Sequence, residues 1–530
     1  MKHFSLNRLF ALTFLFTLTL ASHTVSAQTP CALDPTWDTD GRLVADGGRY
    51  SGAMLVLPDG KLLVACNPNY DSYAYLKRYN SDGSVDMTFG SSGMRIVQVA
   101  ERRTDIDAMV FHNGIIYIVG NTTTDVGGTN TYVYAAAVTQ NGIFVNTFGV
   151  TGVKKFNSGN TDLYKATDIL VDANGKILIA GLKSFDNLYV MKITTTGALD
   201  ASWSNDGIAF VPTNNSDHWW DLYDMELDKN GQVLITGKKY RANNGSTIPA
   251  FWHVFVARWN ANGTLDNTFA TNGIGLYNSD PTHFDEAKSI MVTAANNYVT
   301  AGISYMGSDY DYSATGILHN GAINPNFGVN GWSINDLLHG HDSENCLNAT
   351  MLPDGRILQT GNQGSGDTVH FALLMLNPDG TRDNVFAPDG LFMNIFNQNN
   401  NSSGQATPVD PSGKIYMGGY TRTCVNGTCG PLYMAISRYN NSFGNVTSFD
   451  NPSEADVLFY PNPAKSDALV SVKGIDFASV KSVELIDLNG KQSTLTMTAD
   501  QIQLPTLPQG VYFLRITTET GQWVEKLRIE

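Results

Sequence analysis

The sequence has little cysteine, a deficit of positive charge and, beyond its first 27 residues, no long apolar run. Five cysteines among 530 residues are too few for a disulfide-built scaffold, and an odd number leaves at least one thiol unpaired. The formal net charge of −15 argues against nucleic acid or anionic lipid as a partner. Because no later stretch reaches the roughly 18 apolar residues of a membrane span, we expect no transmembrane segment.

Motifs that identify common enzyme classes are also missing from the chain. It contains no G-x-S-x-G nucleophile turn, no phosphate-cradling glycine loop and no H-E-x-x-H zinc helix. This absence favours a binding protein over an enzyme.

The first 27 residues have the composition of an export signal. Lys2 and Arg8 form a basic start, residues 9–21 are mostly apolar, and Val25-Ser26-Ala27 is a small-residue cleavage site. The apolar run is too short to span a membrane. We therefore predict a signal peptide at 1–27 and an exported mature chain.

Two phrases recur along most of the remaining sequence. The first, a turn followed by an apolar strand, is DGKLLVAC, NGIIYIVG, NGKILIAG, NGQVLITG, NNYVTAG, DGRILQTG and SGKIYMGG. The turn glycines Gly60 and Gly413 are 353 residues and six repeats apart, which gives a period of about 59. The second phrase is an aromatic residue followed four positions later by glycine, at Trp37/Gly41, Phe89/Gly93, Phe148/Gly152, Trp203/Gly207, Phe269/Gly273, Phe327/Gly331 and Phe386/Gly390.

The seven copies of the first phrase and the seven copies of the second do not start and end together along the chain. A copy of the second phrase precedes the first turn, and none follows the last. Each repeat predicts four strands, because Asn-Gly and Asp-Gly between apolar runs indicate hairpins. Seven such sheets arranged radially leave only short, protected edges. We therefore predict an all-β, seven-bladed β-propeller over 28–449, closed by the N-terminal strand near Arg42-Leu43-Val44; an open solenoid is the alternative.

Two consequences follow for side chains in the repeat. The seven aromatic residues of the second phrase should be buried between neighbouring sheets. Arg78, Arg258 and Arg438 occupy one third-strand position, as framework residues do, and we do not expect them to bind a substrate carboxylate.

The composite LPDGKLLVAC…YLKRYNSDGSVDMTFGSSGMRIV, from Leu57 to Val97, resembles the delta-60 repeat of bacterial exported proteins. The resemblance covers about 420 residues and implies a propeller. It implies nothing about activity.

The tail from Val457 resembles the type A C-terminal sorting domain of type IX secretion in the Bacteroidetes. The matching positions are Tyr460, Pro461, Asn462, Pro463, Gly490, Lys491, Gly510, Tyr512 and Lys526. Its short alternating strands predict a small β-sandwich at 457–530, after a polar, proline-containing linker at 450–456. The resemblance implies handling by the type IX machinery and a secreted or cell-surface location.

Cys424 and Cys429 bracket Val-Asn-Gly-Thr, a turn-forming spacer. Because an exported protein meets oxidising conditions, we predict a local disulfide there. Two free thiols are the alternative.

Several residues are candidates for a ligand site. Trp219 and Trp220, in DHWWDLYD, offer rings that stack on sugars, although either ring could instead fill the core. His341 belongs to LLHGHDSENC, a cluster without recognised metal-ligand spacing, and His283 lies in another connecting segment. These four residues form the predicted binding face.

A metal site is a second hypothesis. Seven residues before the turn glycine stand Asp107, Asp168, Asp224 and Asn348, in four different repeats. In a propeller these positions face one mouth, where their oxygens would suit Ca²⁺. The alternative is that each aspartate only accepts backbone N–H groups at its own strand.

These observations predict an exported, non-catalytic propeller that binds a glycan, a peptide or an envelope protein. A secreted carbohydrate-active hydrolase or lyase, using carboxylates on one propeller face, is the alternative. The fold alone does not choose between them.

Overall fold

The structure is a computed structural model. It describes residues 31–45, 49–67, 73–99, 103–123, 131–156, 163–183, 187–211, 220–241, 251–280, 284–307, 309–337, 344–365, 368–394, 400–410, 412–425, 428–440, 458–460, 464–473, 480–487, 492–498, 500–518 and 522–529. These parts of the chain are all-β, with one 3-10 turn at Pro388–Gly390. They contain no helix long and apolar enough to cross a membrane. The predicted signal peptide and linker lie outside the described residues.

Five antiparallel sheets of four strands follow one another along the chain. Their strands are β2 Arg49–Val56, β3 Leu62–Asn67, β4 Ala74–Tyr79 and β5 Met94–Val97; β6 Arg103–His112, β7 Ile115–Thr123, β8 Thr131–Thr139 and β9 Val153–Phe156; β10 Leu163–Val171, β11 Ile177–Lys183, β12 Asn187–Ile193 and β13 Ile208–Phe210; β14 Trp220–Leu227, β15 Val233–Arg241, β16 Phe251–Trp259 and β17 Ile274–Tyr277; and β18 Asp285–Val292, β19 Tyr298–Tyr305, β20 Tyr310–Ile317 and β21 Trp332–Asn335. We call them units 1 to 5.

Two further four-stranded units are joined into one larger sheet by a single parallel bridge between Val369 and Asn401. Unit 6 contains β22 Glu344–Met351, β23 Ile357–Ser365, β24 Thr368–Leu376 and β25 Leu391–Asn394. Unit 7 contains β26 Asn400–Ala406, β27 Ile415–Val425, β29 Tyr433–Tyr439 and β1 Arg42–Ala45, with the short strand β28 Thr428–Cys429 beside β27.

The N-terminal strand completes unit 7, as the sequence predicts. β1 pairs antiparallel with β29, with Arg42 opposite Ser437 and Ala45 opposite Met434. Arg438 N–H donates to the Gly41 carbonyl at 2.9 Å, and Asp34 N–H donates to the Arg438 carbonyl at 2.9 Å. The first and last described parts of the repeat region therefore share one sheet.

Local turn chemistry explains the hairpins. In unit 3, Gly175 has a φ of 74°, a conformation that glycine adopts without steric cost. One carboxylate oxygen of Asp172 accepts the N–H groups of Asn174 and Lys176, each at 2.9 Å. The strand that follows, β11, is buried at every position except its last, because sheets cover both of its faces.

The seven repeat aromatics are all core residues, each no more than 2% exposed. Phe89 of unit 1 packs in one cluster with Ile116 and Ile118 of unit 2. Trp37 packs in one cluster with Leu62 of unit 1 and Met434 of unit 7. Each aromatic therefore fills a space between neighbouring units.

The C-terminal region has two separate sheets around one core. The strands are β30 Leu458–Tyr460, β31 Leu469–Lys473, β32 Val480–Asp487, β33 Gln492–Leu495, β34 Met497–Thr498, β35 Gln501–Gln503, β36 Gly510–Thr518 and β37 Gln522–Ile529. One sheet has the order β30-β31-β35-β34 and the other β33-β32-β36-β37. Val470 and Ile502 of the first pack with Leu485 and Leu514 of the second.

Candidate functional site

First-strand residues of units 1 to 6, with Thr407 and Pro408 directly after the first strand of unit 7, line two adjoining cavities of about 570 and 370 Å³. We call the pair the inner cavity. The two parts share six lining residues, namely Met109, Asp168, Asp224, Asn348, Ala349 and Thr350. The smaller part is lined by at least one residue from every unit, including Ala53, Asp107, Asp168, Asp224, Lys288, Asn348 and Thr407.

A β-bulge places the polar groups in this cavity. The register of the first strand shifts by one residue in units 2 to 7, for example between Ala166 and Asp168 and between Leu222 and Asp224. The residues that follow the bulge are Ala108, Asp168, Asp224, Ser289, Asn348 and Ala406. Because a bulge redirects the side chain next to it, this position repeats with a fixed orientation.

Asp107 does not occupy the position that Asp168 and Asp224 share. The sequence alignment on the turn glycine assumed equal hairpins, but the unit 2 hairpin is shorter, with His112 paired to Ile115. In unit 3 the corresponding pair is Val171 and Ile177. Asp107 is therefore the bulge residue itself, one position earlier than the alignment placed it.

Both oxygens of Asp168 and of Asp224 accept backbone N–H groups. Asp168 accepts from Ile169 at 2.8 Å and from Met225 of the next unit at 3.0 Å. Asp224 accepts from Met225 at 3.0 Å and from Ile290 of the next unit at 2.7 Å. Ser289 continues the series, since its hydroxyl accepts the Ala349 N–H at 2.8 Å. These side chains brace each unit against its neighbour.

The cavity carboxyl groups hold their protons more tightly than ordinary carboxyl groups. Burial raises the pKa of Asp168 to about 6, although the N–H groups of Ile169 and Met225 act in the opposite direction. Burial, then the adjacent Asp168 carboxylate, raises the pKa of Asp224 well above its usual range. Burial also raises the pKa of Glu226 to about 7 and that of Asp107 to about 7. The carboxyl groups that line the inner cavity, which we call the inner wall, are therefore partly protonated near neutral pH.

The predicted calcium ligands do not form a compact set. Asp107 accepts a hydrogen bond from Asn121 at 2.6 Å, while Asp168 and Asp224 bind backbone amides. Within the described ranges, no group of three or more His, Cys, Asp or Glu side chains is arranged to hold a metal ion. The alternative from the sequence, that each aspartate accepts backbone N–H groups at its own strand, holds for one oxygen each of Asp168 and Asp224, while the other oxygen accepts an N–H group of the next unit. Calcium binding stays a hypothesis.

Of the four residues of the predicted binding face, only Trp220 lies in the described part of the chain. Trp219, His283 and His341 lie outside the described residues. Trp220 is 2% exposed and packs edge-on against Phe255 with ring centroids 4.9 Å apart. Its ring is therefore part of the core in this structure and is not accessible for stacking on a ligand.

The repeated arginines are framework residues, as expected. Arg258 Nη2 lies 2.7 Å from Asp266 Oδ2, and both side chains are almost fully buried. Arg258 Nη1 also donates to the His319 carbonyl of the next unit at 2.5 Å. The same pairing joins Arg78 to Asp86 at 2.7 Å and Arg438 to Asp34 at 2.9 Å. None of these guanidinium groups is free to bind a ligand carboxylate.

The disulfide between Cys424 and Cys429 is present, with an S–S distance of 2.06 Å. It links the end of β27 to β28. Cys31, Cys66 and Cys346 are free and buried.

Part of the predicted sorting motif is described. Tyr460 ends β30, Gly510 begins β36, and Lys526 lies in β37 opposite Phe513. Tyr512 donates its hydroxyl proton to the Pro508 carbonyl at 3.0 Å. The other five positions of the motif lie outside the described residues, namely Pro461, Asn462, Pro463, Gly490 and Lys491.

Comparison with protein families identifies two parts of the chain. A family described as the secretion system C-terminal sorting domain matches residues 458–530. A second, described as a domain of unknown function (DUF5122) β-propeller, matches residues 57–89 and 352–386. The chain is thus a β-propeller protein with a type IX sorting tail, and the tail indicates secretion or surface attachment. No curated protein matches the chain.

The solved structures that resemble this chain have low sequence identity to it. A protein of unknown function from Dyadobacter fermentans DSM 18053 is 12% identical, with 78% of this chain and 98% of that chain covered and a TM-score of 0.39. The polysaccharide lyase Uly1 is 13% identical, with 74% and 90% covered and a TM-score of 0.43. An endo-arabinase from Bacteroides thetaiotaomicron VPI-5482 is 10% identical, with 56% and 98% covered and a TM-score of 0.29. These values carry no inference about activity.

Sequence reasoning missed several residues at the inner cavity. Tyr223 and Lys288 line its smaller part, and Glu226 lines the larger. Tyr223 and Lys288 are the bulge residues of units 4 and 5, the position that Asp107 has in unit 2. The residue type at this position differs between repeats, so an alignment that looks for identical residues passes over it. The bulge position itself, which the sequence does not mark, is the signal that the structure adds.

Proposed function

We propose that this protein is an exported, non-catalytic binding module: a closed, seven-bladed β-propeller whose inner cavity and adjoining face hold an extracellular glycan, peptide or envelope protein. In this proposal residues 28–449 form the propeller, 450–456 a linker and 457–530 the domain that the type IX machinery handles. The observation that carries the non-catalytic role is the engagement of the cavity aspartates.

Catalysis by a carboxylate requires an oxygen that is free to attack, or to exchange a proton with, the substrate. Both oxygens of Asp168 and of Asp224 instead accept backbone N–H groups from their own or the next unit. An accepted N–H leaves each oxygen a further lone pair, but it fixes the two carboxyl groups in place as contacts between neighbouring units. The geometry therefore favours a structural role for these aspartates in a wall that binds.

Three observations support seven blades and closure. The described repeat region contains seven four-stranded units, and residues from all seven line the smaller part of the cavity. β1 pairs with β29. Arg438 of unit 7 also donates to the Ser81 carbonyl of unit 1 at 2.5 Å, the same contact to the next unit that Arg258 makes. A ring explains all three at once.

One observation favours the second candidate, a secreted carbohydrate-active hydrolase or lyase. Glu226 lines the larger part of the cavity, and only its Oε1 accepts a described backbone N–H, that of Leu227 at 2.9 Å. Burial raises its pKa to about 7, a value suited to a general acid or base. Glu226 is therefore the residue on which an enzymatic role would depend.

The mature chain should be screened on a glycan array, against envelope extracts and on polysaccharide hydrolysis substrates. We expect saturable binding without turnover, and the same absence of turnover in Glu226→Gln. Product release that Glu226→Gln abolishes would reject the non-catalytic role and favour the second candidate. Calcium titration of the mature chain and of Asp168→Asn tests the metal hypothesis separately.

A further inference from the structure

Five aromatic side chains form a continuous row across units 4 and 5. The centroid distances between successive rings are 5.4 Å for Tyr240–Trp252, 6.1 Å for Trp252–Phe284, 5.7 Å for Phe284–Tyr310 and 5.2 Å for Tyr310–Tyr305. We call this row the aromatic strip. All five rings are partly exposed, whereas the seven repeat aromatics are no more than 2% exposed.

The strip lies at one end of the two sheets. Tyr240 and Tyr305 are near the ends of second strands, β15 and β19, and Trp252 and Tyr310 are at the starts of third strands, β16 and β20. Phe284 directly precedes β18, a first strand. In an antiparallel sheet these positions share one edge, so the strip belongs to the face at which the first strands begin.

A charged bridge connects the strip to the inner cavity. Lys238 Nζ lies 4.9 Å from the Trp252 ring centroid and 5.8 Å from that of Tyr223. Lys288 Nζ lies 3.6 Å from the Tyr223 centroid, and both Tyr223 and Lys288 line the smaller part of the cavity. Strip and cavity are therefore parts of one surface.

We propose that the aromatic strip and the adjoining cavity mouth bind a neutral oligosaccharide, with sugar rings packed on the exposed parts of these mutually tilted rings and one end in the mouth. The proposal rests on the binding role proposed above and names its ligand class and site. Pyranose rings have apolar C–H faces that pack on aromatic rings, and their hydroxyl groups need polar partners at the edges. Asp107, Thr167 and Asn348 at the mouth supply such partners.

The charges on the surface select a neutral ligand over an acidic one. Lys238 pairs with Glu286 at 2.8 Å and with Asp221 at 3.4 Å, and Lys288 pairs with Glu286. The lysines are thus balanced within the protein. The three aspartic acid side chains at the mouth supply no positive charge, and the whole chain has a net charge of −15. A uronic-acid chain would be repelled by this overall charge, while Lys238 and Lys288 are already paired.

The strip is also better suited to a glycan than to an apolar helix. Three of its five residues are tyrosines, and an ion-paired lysine lies over the Trp252 and Phe284 rings. An apolar helix would have to cover these polar groups without replacing their hydrogen bonds with water, whereas sugar hydroxyl groups hydrogen-bond to them.

The test uses the mature full chain and neutral oligomers of glucose, xylose, mannose and galactose, with oligogalacturonate as the acidic probe. We expect at least one neutral oligomer to bind by isothermal titration and to change tryptophan fluorescence, and oligogalacturonate to bind more weakly. Trp252→Ala should weaken binding about tenfold or more, because it removes the central ring.

Tyr132→Ala is the matched control, since Tyr132 is a partly exposed aromatic at the start of the third strand of unit 2; we expect unchanged affinity. Should Trp252→Ala fail to fold, Tyr305→Ala at the end of the strip and Trp252→Phe provide the comparison, with weakened and largely retained binding respectively. Tighter binding of oligogalacturonate, unchanged affinity in a folded Trp252→Ala, or no binding of any neutral oligomer would each overturn the inference.

The outcomes separate this inference from the proposed function. If the chain binds a peptide or an envelope protein but no neutral oligomer, the binding role stands and the glycan site is rejected. If a neutral oligomer is cleaved and Trp252→Ala weakens its binding, the strip is supported and the non-catalytic role is rejected.

Discussion

Aspartate occupies two recurring positions in this protein, with opposite electrostatic consequences. In the inner wall, burial raises the pKa of Asp168 to about 6, and the neighbouring charge adds to this effect at Asp224. In the outer frame, formed by the third-strand arginines and their Asp partners, burial would also raise the pKa of Asp266. Hydrogen bonds from Thr268 and Arg258 outweigh burial and lower that pKa to about 2.

The difference shows that burial alone does not decide the charge of a repeat residue. Asp266 has a guanidinium partner and is ionised, whereas Asp168 and Asp224 have only backbone amides and each other. In the outer frame the ion pair fixes each arginine within its own unit, and Arg258 then donates to a carbonyl of the next unit. The carboxyl groups of the inner wall have raised pKa values and therefore respond to pH nearer neutrality. The expected effects of substitution differ accordingly.

The largest effect is expected from the aromatic residues beside the outer frame. Phe269→Ala should lower the free energy of unfolding by about 3–5 kcal/mol, because it leaves a cavity between two units. Trp37→Ala should cost at least as much, because Trp37 joins the N-terminal segment to units 1 and 7. Urea denaturation of both variants measures this. A silent Trp37→Ala would contradict ring closure.

Breaking one frame ion pair should be comparably severe. Asp266→Ala leaves Arg258 buried without its counter-charge, at a cost of about 3–5 kcal/mol. The double variant with Arg258→Met should recover much of the loss, since no isolated charge remains. Thermal unfolding at pH 7 distinguishes the two. A loss below about 1 kcal/mol in the single variant would mean that the pair contributes little to the frame.

The inner wall should tolerate the corresponding change. Asp224→Asn replaces a carboxyl group whose pKa is raised well above its usual range with a neutral amide and retains one acceptor oxygen. We therefore expect a change of less than about 1.5 kcal/mol at pH 7. The comparison with Asp266→Asn, which removes a charge paired with Arg258, is the matched test. Equal losses of unfolding free energy in the two asparagine variants would contradict the proposed difference between the inner wall and the outer frame.

The last prediction is a pH dependence of stability. Carboxyl groups whose pKa is raised on folding bind more protons in the folded than in the unfolded state, so they destabilise the fold as pH rises. For Glu226, stability should fall from about pH 4 to about pH 7, the folded pKa, and then level off. Glu226→Gln should flatten this part of the profile, measured as the unfolding midpoint against pH. A profile identical to that of the parent chain would count against the wall assignment.

Much of the architecture was predictable because local chemistry specifies it. Asp-Gly and Asn-Gly turns require positive φ, and the apolar strands after them require burial, so hairpins and their repetition are visible in the sequence. The copy of the second phrase at Trp37, which precedes the first turn, predicted the pairing of β1 with β29. The Cys-x4-Cys spacing predicted the disulfide. The sorting tail was predictable from its resemblance to a known family.

What the sequence by itself determined is therefore the set of local elements, namely the strands, the turns and the buried repeat aromatics, together with the C-terminal sorting domain. Tertiary structure alone decided where Asp107 lies, because a shorter hairpin moved it into a bulge, and that Trp220 is buried. It also brought Tyr240, Trp252, Phe284, Tyr305 and Tyr310 into one row from segments up to 70 residues apart. Strand register and the side-chain contacts between units depend on three-dimensional packing. The spacing of residues within one repeat does not reveal them.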